Sequence, residues 1–372
     1  MRVAIVCRPF SFYGGLETAT AGLVREFVHQ GYDLHLFSPP GQLEIPGVTH
    51  HRLPVIPAPS AARHLSLALA ASAAVRRVRV DVVQSHERSL FQHVYRAGEG
   101  CHRAYLAVKA RRRRGAGRLA LKANPAHLVL LALERRIFAS NATRWIVAIS
   151  RRGAQEIRQF YGVPDSRLTV IYNGVDQNRF HPAGRARFGP ELRDRLGIPR
   201  GAWLVLMVGS GFERKGLGPL IEGFARLRDR DARLLVVGKG SSRPYRALGE
   251  RLGVASRVIW AGPRPDIERF YAAADLVALP SLYEPFGNVH LEALASGLPV
   301  LASARSGGAE IIRHGEIGWI LGDPEDPSAI ADGLEALRDA DPVAITARAR
   351  EAVKPFTFTA QVQAFAELYR TL

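Results

Sequence analysis

The chain is poor in sulfur. Two cysteines, Cys7 and Cys101, in 372 residues cannot build a disulfide framework or a cysteine-rich metal site. A reducing compartment is the simplest setting for such a protein. Long apolar runs are also missing. The best, Leu65 to Val75, is about half of the ~20 residues that a membrane-spanning helix needs. The first apolar stretch, Val3 to Cys7, is too short for the core of a signal peptide, and Arg8 and Pro9 follow at once. No solenoid-length repeat and no low-complexity tract is present. Acidic residues are scarce, with 34 Asp+Glu against 51 Lys+Arg, a formal charge of +17. A surface this positive favours nucleic acid, anionic lipid or phosphorylated substrates.

What is present is enough apolar sequence for real cores, 47% of residues, which excludes general disorder. Short continuous apolar runs predict strands buried on both faces. In the first half they fall at Val3–Cys7, Asp33–Ser38, Asp81–Ser85, Trp145–Ser150 and Leu168–Tyr172. In the second they fall at Trp203–Val208, Arg233–Val237, Val258–Trp260, Leu276–Pro280 and Pro299–Ala302. Helical periodicity separates most of them, as at Leu16–Gln30, Leu217–Leu227 and Asn288–Ser296. This alternation predicts two doubly wound, Rossmann-like α/β domains with parallel sheets. Residues 1–180 form the first and 202–355 the second. The segment 181–201, rich in Pro and Gly, reads as a linker. Residues 356–372 read as a terminal helix packing back towards the first domain. Ligands of such folds bind beyond the carboxyl ends of the strands, here in a cleft between the two domains.

Four segments at predicted strand ends carry chemistry. Glu284-Pro285-Phe286-Gly287-Asn288-Val289-His290-Leu291-Glu292 puts two carboxylates around a helix start, whose N–H groups and dipole suit an anion. Each carboxylate can accept two hydrogen bonds from a diol. A phosphate between two diols describes a nucleotide sugar; the alternative is a loop charge and a solvated helix charge. Gly209-Ser210-Gly211-Phe212-Glu213-Arg214-Lys215-Gly216 supplies adjacent cations that can neutralise a diphosphate, or forms a solvated basic turn. Tyr13-Gly14-Gly15-Leu16-Glu17 either lines a phosphate through backbone N–H groups or is an ordinary turn. It lacks the G-x-G-x-x-G spacing of a dinucleotide site. Tyr172-Asn173-Gly174-Val175-Asp176 reads as local turn chemistry. No Asp-x-Asp metal motif lies near these strand ends.

In this order, the four segments resemble the retaining family 4 glycosyltransferases of GT-B fold. Ala272-Ala273-Ala274-Asp275-Leu276 and the run from Glu292 to Val300 are similar to that family as well. The resemblance covers nearly the whole chain. It implies that Glu292 holds the donor's ribose and Glu284 the transferred sugar. Phe286, Gly287 and Asn288 would contact sugar and phosphates through backbone amides. Arg214 and Lys215 would stabilise the departing nucleoside diphosphate. Gly15 would let the first domain approach the diphosphate, and Arg264 would lie near the base. No cofactor or metal is implied.

From Cys101 to Leu133 there is no acidic residue. Arg103, Lys109, Arg111, Arg112, Arg113, Arg114, Arg118 and Lys122 alternate there with Tyr105, Leu106, Val108, Leu119 and Leu121. No nucleic-acid recognition motif accompanies them, so an anionic membrane surface or phosphorylated lipid fits better. Just before this stretch, Tyr95-Arg96-Ala97-Gly98-Glu99-Gly100-Cys101 is similar to the subgroup that adds the first glucose to the inner core of bacterial lipopolysaccharide. The acidic acceptor-side residue of that subgroup is here Glu99, where Asp is more usual. His86, at another strand end, could also touch sugar or acceptor. The expectation is a hexosyltransferase using UDP-glucose on a lipid-linked glycan, cytoplasmic and peripheral to the inner membrane. The alternatives are a mannosyl or galactosyl transferase for another surface polysaccharide and a catalytically silent GT-B membrane scaffold.

Overall fold

The computed structural model describes residues 1–10 and 15–372, without the side chains of 15–18. It divides into two compact units. One contains Leu16–Asn173 together with the first strand and the returning segment Phe358–Leu372; the other is Gly174–Thr357.

In the first unit the order is β1 (Arg2–Val6), α1 (Gly15–His29), β2 (Asp33–Ser38), β3 (Val48–Arg52), α2 (Ser60–Val75), β4 (Val82–Ser85) and β5 (Val94–Ala97). Three helices follow, α3 (His102–Arg111), α4 (Ala116–Ala123) and α5 (Pro125–Ala139), then β6 (Trp145–Ala148), α6 (Arg151–Tyr161) and β7 (Leu168–Val170). All seven strands pair in parallel in the order β3-β2-β1-β4-β5-β6-β7. Alternation within β1 explains its unbroken apolar run. Val3 and Ile5 join a core with Leu23 and Phe27 of α1, while Ala4 and Val6 face Leu67, Ala71 and Val75 of α2. A strand covered on both faces favours apolar side chains at every position. Cys7 and Cys101 are both buried and are not joined in a disulfide.

The second unit runs α7 (Gly184–Arg195), β8 (Leu204–Val208), α8 (Leu217–Ala225), β9 (Arg233–Val237), α9 (Arg243–Arg251), β10 (Val258–Gly262) and α10 (Ile267–Ala273). It continues with β11 (Leu276–Leu279), α11 (Asn288–Ala295), β12 (Val300–Ser303), β13 (Gly318–Leu321), α12 (Pro327–Arg338) and α13 (Pro342–Val353). Its six parallel strands take the order β10-β9-β8-β11-β12-β13. The last helix, α14 (Phe358–Tyr369), belongs to the first unit. There Val362, Phe365, Leu368 and Tyr369 complete the core beside α1.

The segment 181–201 is not a linker. Most of it is α7, and it belongs to the second unit. Pro190 and the glycines misled because packing, not propensity, decides here. Leu192 is fully buried. A Cβ at Gly189 would stand 3.1 Å from the Ala272 carbonyl oxygen, so the glycine permits close approach to α10. Arg185 and Arg193 donate to the carbonyls of Ala274 and Ala273, both at 2.8 Å, and Arg193 pairs with Asp275 at 2.6 Å. Two other boundaries differ from expectation: the units divide at Asn173/Gly174, and the second extends to Thr357.

Because Phe365 is fully buried against the first unit, Phe365→Ala should destabilise that unit by about 3–5 kcal/mol. Urea unfolding checks this, and a change below about 1 kcal/mol would show that α14 is not part of the core.

Candidate functional site

In the second unit the strand-end loops after β8 and β11 meet. Glu284, nearly buried, accepts on one carboxylate oxygen from Lys215 Nζ at 2.5 Å and from Arg214 Nη1 at 2.7 Å. Arg214 also donates to the Tyr283 carbonyl at 3.1 Å. Burial raises the pKa of the Glu284 carboxyl, but Lys215 and then Arg214 outweigh it and bring it down to about 2. Burial lowers Lys215, with Glu284 opposing. The group is therefore one carboxylate under two cations, with one positive charge to spare.

The loop holding Glu284 is tied down along its length. Gly307 N–H donates to the Glu284 carbonyl at 2.9 Å, and Gly308 N–H to that of Phe286 at 2.7 Å. Gly287 follows with φ +85° and begins α11 as a cap without a side chain. A Cβ there would lie 2.6 Å from His290 Nδ1 and 3.0 Å from Glu284 Cγ. The position thus needs glycine for both conformation and space. With no capping side chain, the first turn of α11 presents its dipole end beside the Glu284 group. Glu292 lies one turn further on, buried, and accepts from Tyr271 Oη at 2.6 Å. Burial raises its pKa, and the Tyr271 hydrogen bond opposes the rise. Tyr271, on α10, gave no sequence signal, because a buried tyrosine reads as core.

Arg214, Lys215, Glu284, Phe286, Gly287, Asn288 and Glu292 thus lie on two adjoining loops and one helix. Arg264 stands just after β10 and is engaged locally. It pairs with Asp266 at 3.2 Å and stacks its guanidinium on Phe270 at 5.4 Å. Gly15 opens α1, and Tyr13 and Gly14 lie outside the described residues.

In the first unit Glu99 lies beyond the end of β5, committed to arginines on both oxygens. One accepts from Arg8, the other from Arg88 Nη1 at 2.6 Å. Burial raises its pKa, but Arg8 and Arg88 hold it down at about 2. A carboxylate so weakly basic can accept a hydrogen bond but is a poor general base. The network extends through Arg8 to Glu87 at 2.8 Å and through Arg88 to Glu134 at 2.9 Å. Glu134 is fully buried and also accepts from the His102 amide at 2.9 Å and Tyr161 Oη at 2.8 Å. These partners were missed because they are spread over five segments. His86 is buried and contacts Gln84 at 2.7 Å. Asn173 is more than a turn residue. It accepts from the buried guanidinium of Arg96 at 2.6 Å.

The basic stretch occupies α3, α4 and the loop between them. Arg111, Arg112, Arg113, Arg114, Arg118 and Lys122 are exposed. Arg103 instead serves the fold, donating to the Phe160 carbonyl at 3.1 Å and covering its ring at 5.5 Å. Lys109 lies over Tyr105 at 5.6 Å. Leu119 is 69% exposed, whereas Leu121 is buried and turned away from any surface role. Among the described residues no helix is long and apolar enough to cross a membrane. No group of three His, Cys, Asp or Glu among them is placed to hold a metal ion.

Comparison with known proteins adds to this geometry. The model for glycosyltransferase family 4 matches residues 13–179, and that for glycosyl transferases group 1 matches 189–352. Over 230 residues the chain is 38% identical to a D-inositol 3-phosphate glycosyltransferase of Corynebacterium glutamicum, covering 58% of this chain and 54% of the relative. Over 196 residues it is 32% identical to the lipopolysaccharide glucosyltransferase WaaG of Escherichia coli, covering 52% of each. The chain thus spans about half the length of the curated relatives it matches. A crystal structure of WaaG superposes over 99% of both chains with TM-score 0.83 and 24% identity. Anabaena HepE in complex with UDP-glucose superposes over the full length of both with TM-score 0.75 and 20% identity.

The Glu284 pair sets an acid limit on stability. A carboxyl at about 2 in the folded chain and at its ordinary 4.5 when unfolded stabilises fully above pH 4.5. That stability, about 3 kcal/mol by linkage, is lost as the pH falls from 4.5 towards 2. Glu284→Gln should therefore melt well below the parent at pH 6, and the gap should narrow as the pH falls through this window. A gap independent of pH would show that the carboxylate is not held ionised by Lys215 and Arg214.

Proposed function

We propose that this chain, which belongs to the family 4 glycosyltransferases of GT-B fold, moves a hexose from a nucleotide sugar to a lipid-linked glycan with retention of configuration. The observation that carries the reading is Glu284 under Arg214 and Lys215, beside the uncapped start of α11. Retaining transfer requires support for an oxocarbenium-like sugar and a departing diphosphate. Arg214, Lys215 and the first turn of α11 meet the second need by charge. Glu284 holds those cations and accepts from hydroxyls of the transferred sugar. Glu292, oriented by Tyr271, accepts from the ribose diol, and Arg264 serves the base. Phe286, Gly287 and Asn288 offer backbone amides, and Gly15 brings the first unit to the diphosphate. His86 and Glu99 serve the acceptor side. UDP-glucose is the first donor, which the UDP-glucose complex of HepE supports. A lipopolysaccharide inner core is the first acceptor, which the likeness to WaaG supports.

In this reading the two cations act in place of a divalent ion. A panel of UDP-glucose, UDP-galactose and GDP-mannose, scored by nucleoside diphosphate release, should single out UDP-glucose and give the same rate in excess chelator. Release from none of them would overturn the reading. Loss of activity with chelator, restored by magnesium or manganese, would overturn the metal-independent part.

The acceptor's lipid places the enzyme on the cytoplasmic face of the inner membrane, held by the exposed arginines from 111 to 114. Each basic residue near an anionic surface contributes about 1 kcal/mol, within a Debye length of ~8 Å at physiological salt. Replacing Arg111, Arg112, Arg113 and Arg114 by serine should abolish sedimentation with phosphatidylglycerol vesicles at low salt and leave donor hydrolysis unchanged. A variant that still sediments fully would remove the membrane assignment.

A further inference from the structure

Three buried side chains of the first unit form a line of hydrogen bonds that reaches from the last helix to a strand end. Tyr369, in the final turn of α14, donates from Oη to Gln84 Oε1 at 2.6 Å. Gln84 Nε2, on β4, stands 2.7 Å from Nε2 of His86. The His86 amide is fixed to the Val6 carbonyl at 2.8 Å. Nδ1 of the same ring is buried and, among the described residues, has no hydrogen-bond partner.

The line runs in one direction only. A buried tyrosine hydroxyl with one neighbour satisfies its proton by donating, so it faces the amide oxygen of Gln84. The Gln84 NH2 group is thereby turned to His86 and requires a lone pair on Nε2. A neutral imidazole with a lone pair on Nε2 carries its proton on Nδ1. Turning the amide over would strand the tyrosine proton in the core. Burial, and then the charge of Arg96, holds the pKa of His86 well below the ordinary imidazole range, so the ring is neutral at pH 7. The Nδ1–H group is thus a fixed donor for which none of the described residues supplies a partner.

We propose that Tyr369 and Gln84 are positioning residues that lock His86 in its Nδ1–H tautomer, ready to donate to a hydroxyl of the substrate. The substrate half of this inference rests on the transferase reading above; the lock does not. It also gives α14 a task beyond filling the core, since the chain's last helix sets the polarity of a side chain nearly three hundred residues earlier.

Nitrogen-15 NMR of the histidine rings in the full chain, without substrate, reads the tautomer directly. The parent should show His86 protonated on Nδ1 and bare on Nε2. Tyr369→Phe keeps the ring stacked on Phe27 and removes only the hydroxyl, so the Gln84 amide can turn over and the Nε2–H form should appear. Gln84→Met, of similar shape and without the amide, should free the ring in the same way. A parent protonated on Nε2, or a tautomer unmoved in both variants, would overturn the lock. In the transferase assay Tyr369→Phe should lower kcat/KM about five- to tenfold, the worth of one hydrogen bond, and should cost nothing further in a His86→Ala background. An equal loss in both backgrounds would make the hydroxyl merely structural and overturn the proposal. If the parent turns over no nucleotide sugar, the transferase reading fails while the NMR result still decides the lock.

Discussion

The carboxylate of Glu284 is the constraint around which the second unit's site is arranged. Lys215 is buried, and a buried ammonium without a counter-charge would be neutral or would unfold its surroundings. Arg214 alone could reach solvent, but its hydrogen bonds to Glu284 and the Tyr283 carbonyl turn it inward. Both cations therefore point where the Glu284 loop points. That loop is fixed in turn by Gly307 and Gly308 on its backbone and by the tight fit of Gly287 against His290. Strand ends, glycines and the start of α11 are organised to keep one negative charge under two positive ones.

This arrangement removes a division of labour that the motifs alone suggest. Glu284 reads in sequence as a sugar ligand and Arg214-Lys215 as a diphosphate site, with separable effects. In the structure they share an oxygen atom. Changing Glu284 therefore removes the anchor that both cations share, so any role of its own cannot be separated from theirs by one substitution. Glu292 is different. Its hydrogen bond goes to Tyr271, and its environment favours a less acidic carboxyl. Of the two glutamates, one is committed to cations and ionised over the whole working range, and the other is hydrogen-bonded to a tyrosine instead.

The parallel architecture was legible because buried strands advertise themselves. β2 and β9 fall at the residues expected, and most others shift by one or two. The strands missed are those whose side chains break the pattern. β3, Val-Thr-His-His-Arg, is a polar edge strand. β5 carries Arg96 in its middle, 1% exposed, where the rule of apolar interiors forbids an arginine. β13 is four residues long and begins with glycine. Helix α7 was hidden by its proline, and its stability comes from arginines bonded to carbonyls of α10, contacts that no local pattern records. Site residues on motifs were found; their partners Tyr271, Arg8, Arg88 and Glu134 were not, because each is defined only by what it touches.

Arg96 shows why such partners escape and what they do. Among the described residues its guanidinium donates to Asn173 alone, and burial lowers its pKa to about 10. A cation kept this dry gives a long-range field, because little solvent screens it. Burial first, and then that field, keep His86 neutral. Glu99 stands under a different pair of cations and stays ionised. The first unit thus holds a neutral imidazole and an anionic carboxylate beyond neighbouring strands, β4 and β5, the first set by burial and Arg96, the second by Arg8 and Arg88. In the second unit, buried Lys215 and half-buried Arg214 keep Glu284 ionised in the same way. In both units the parallel sheet supplies the place, and burial together with nearby arginine and lysine sets which protonation state is found there.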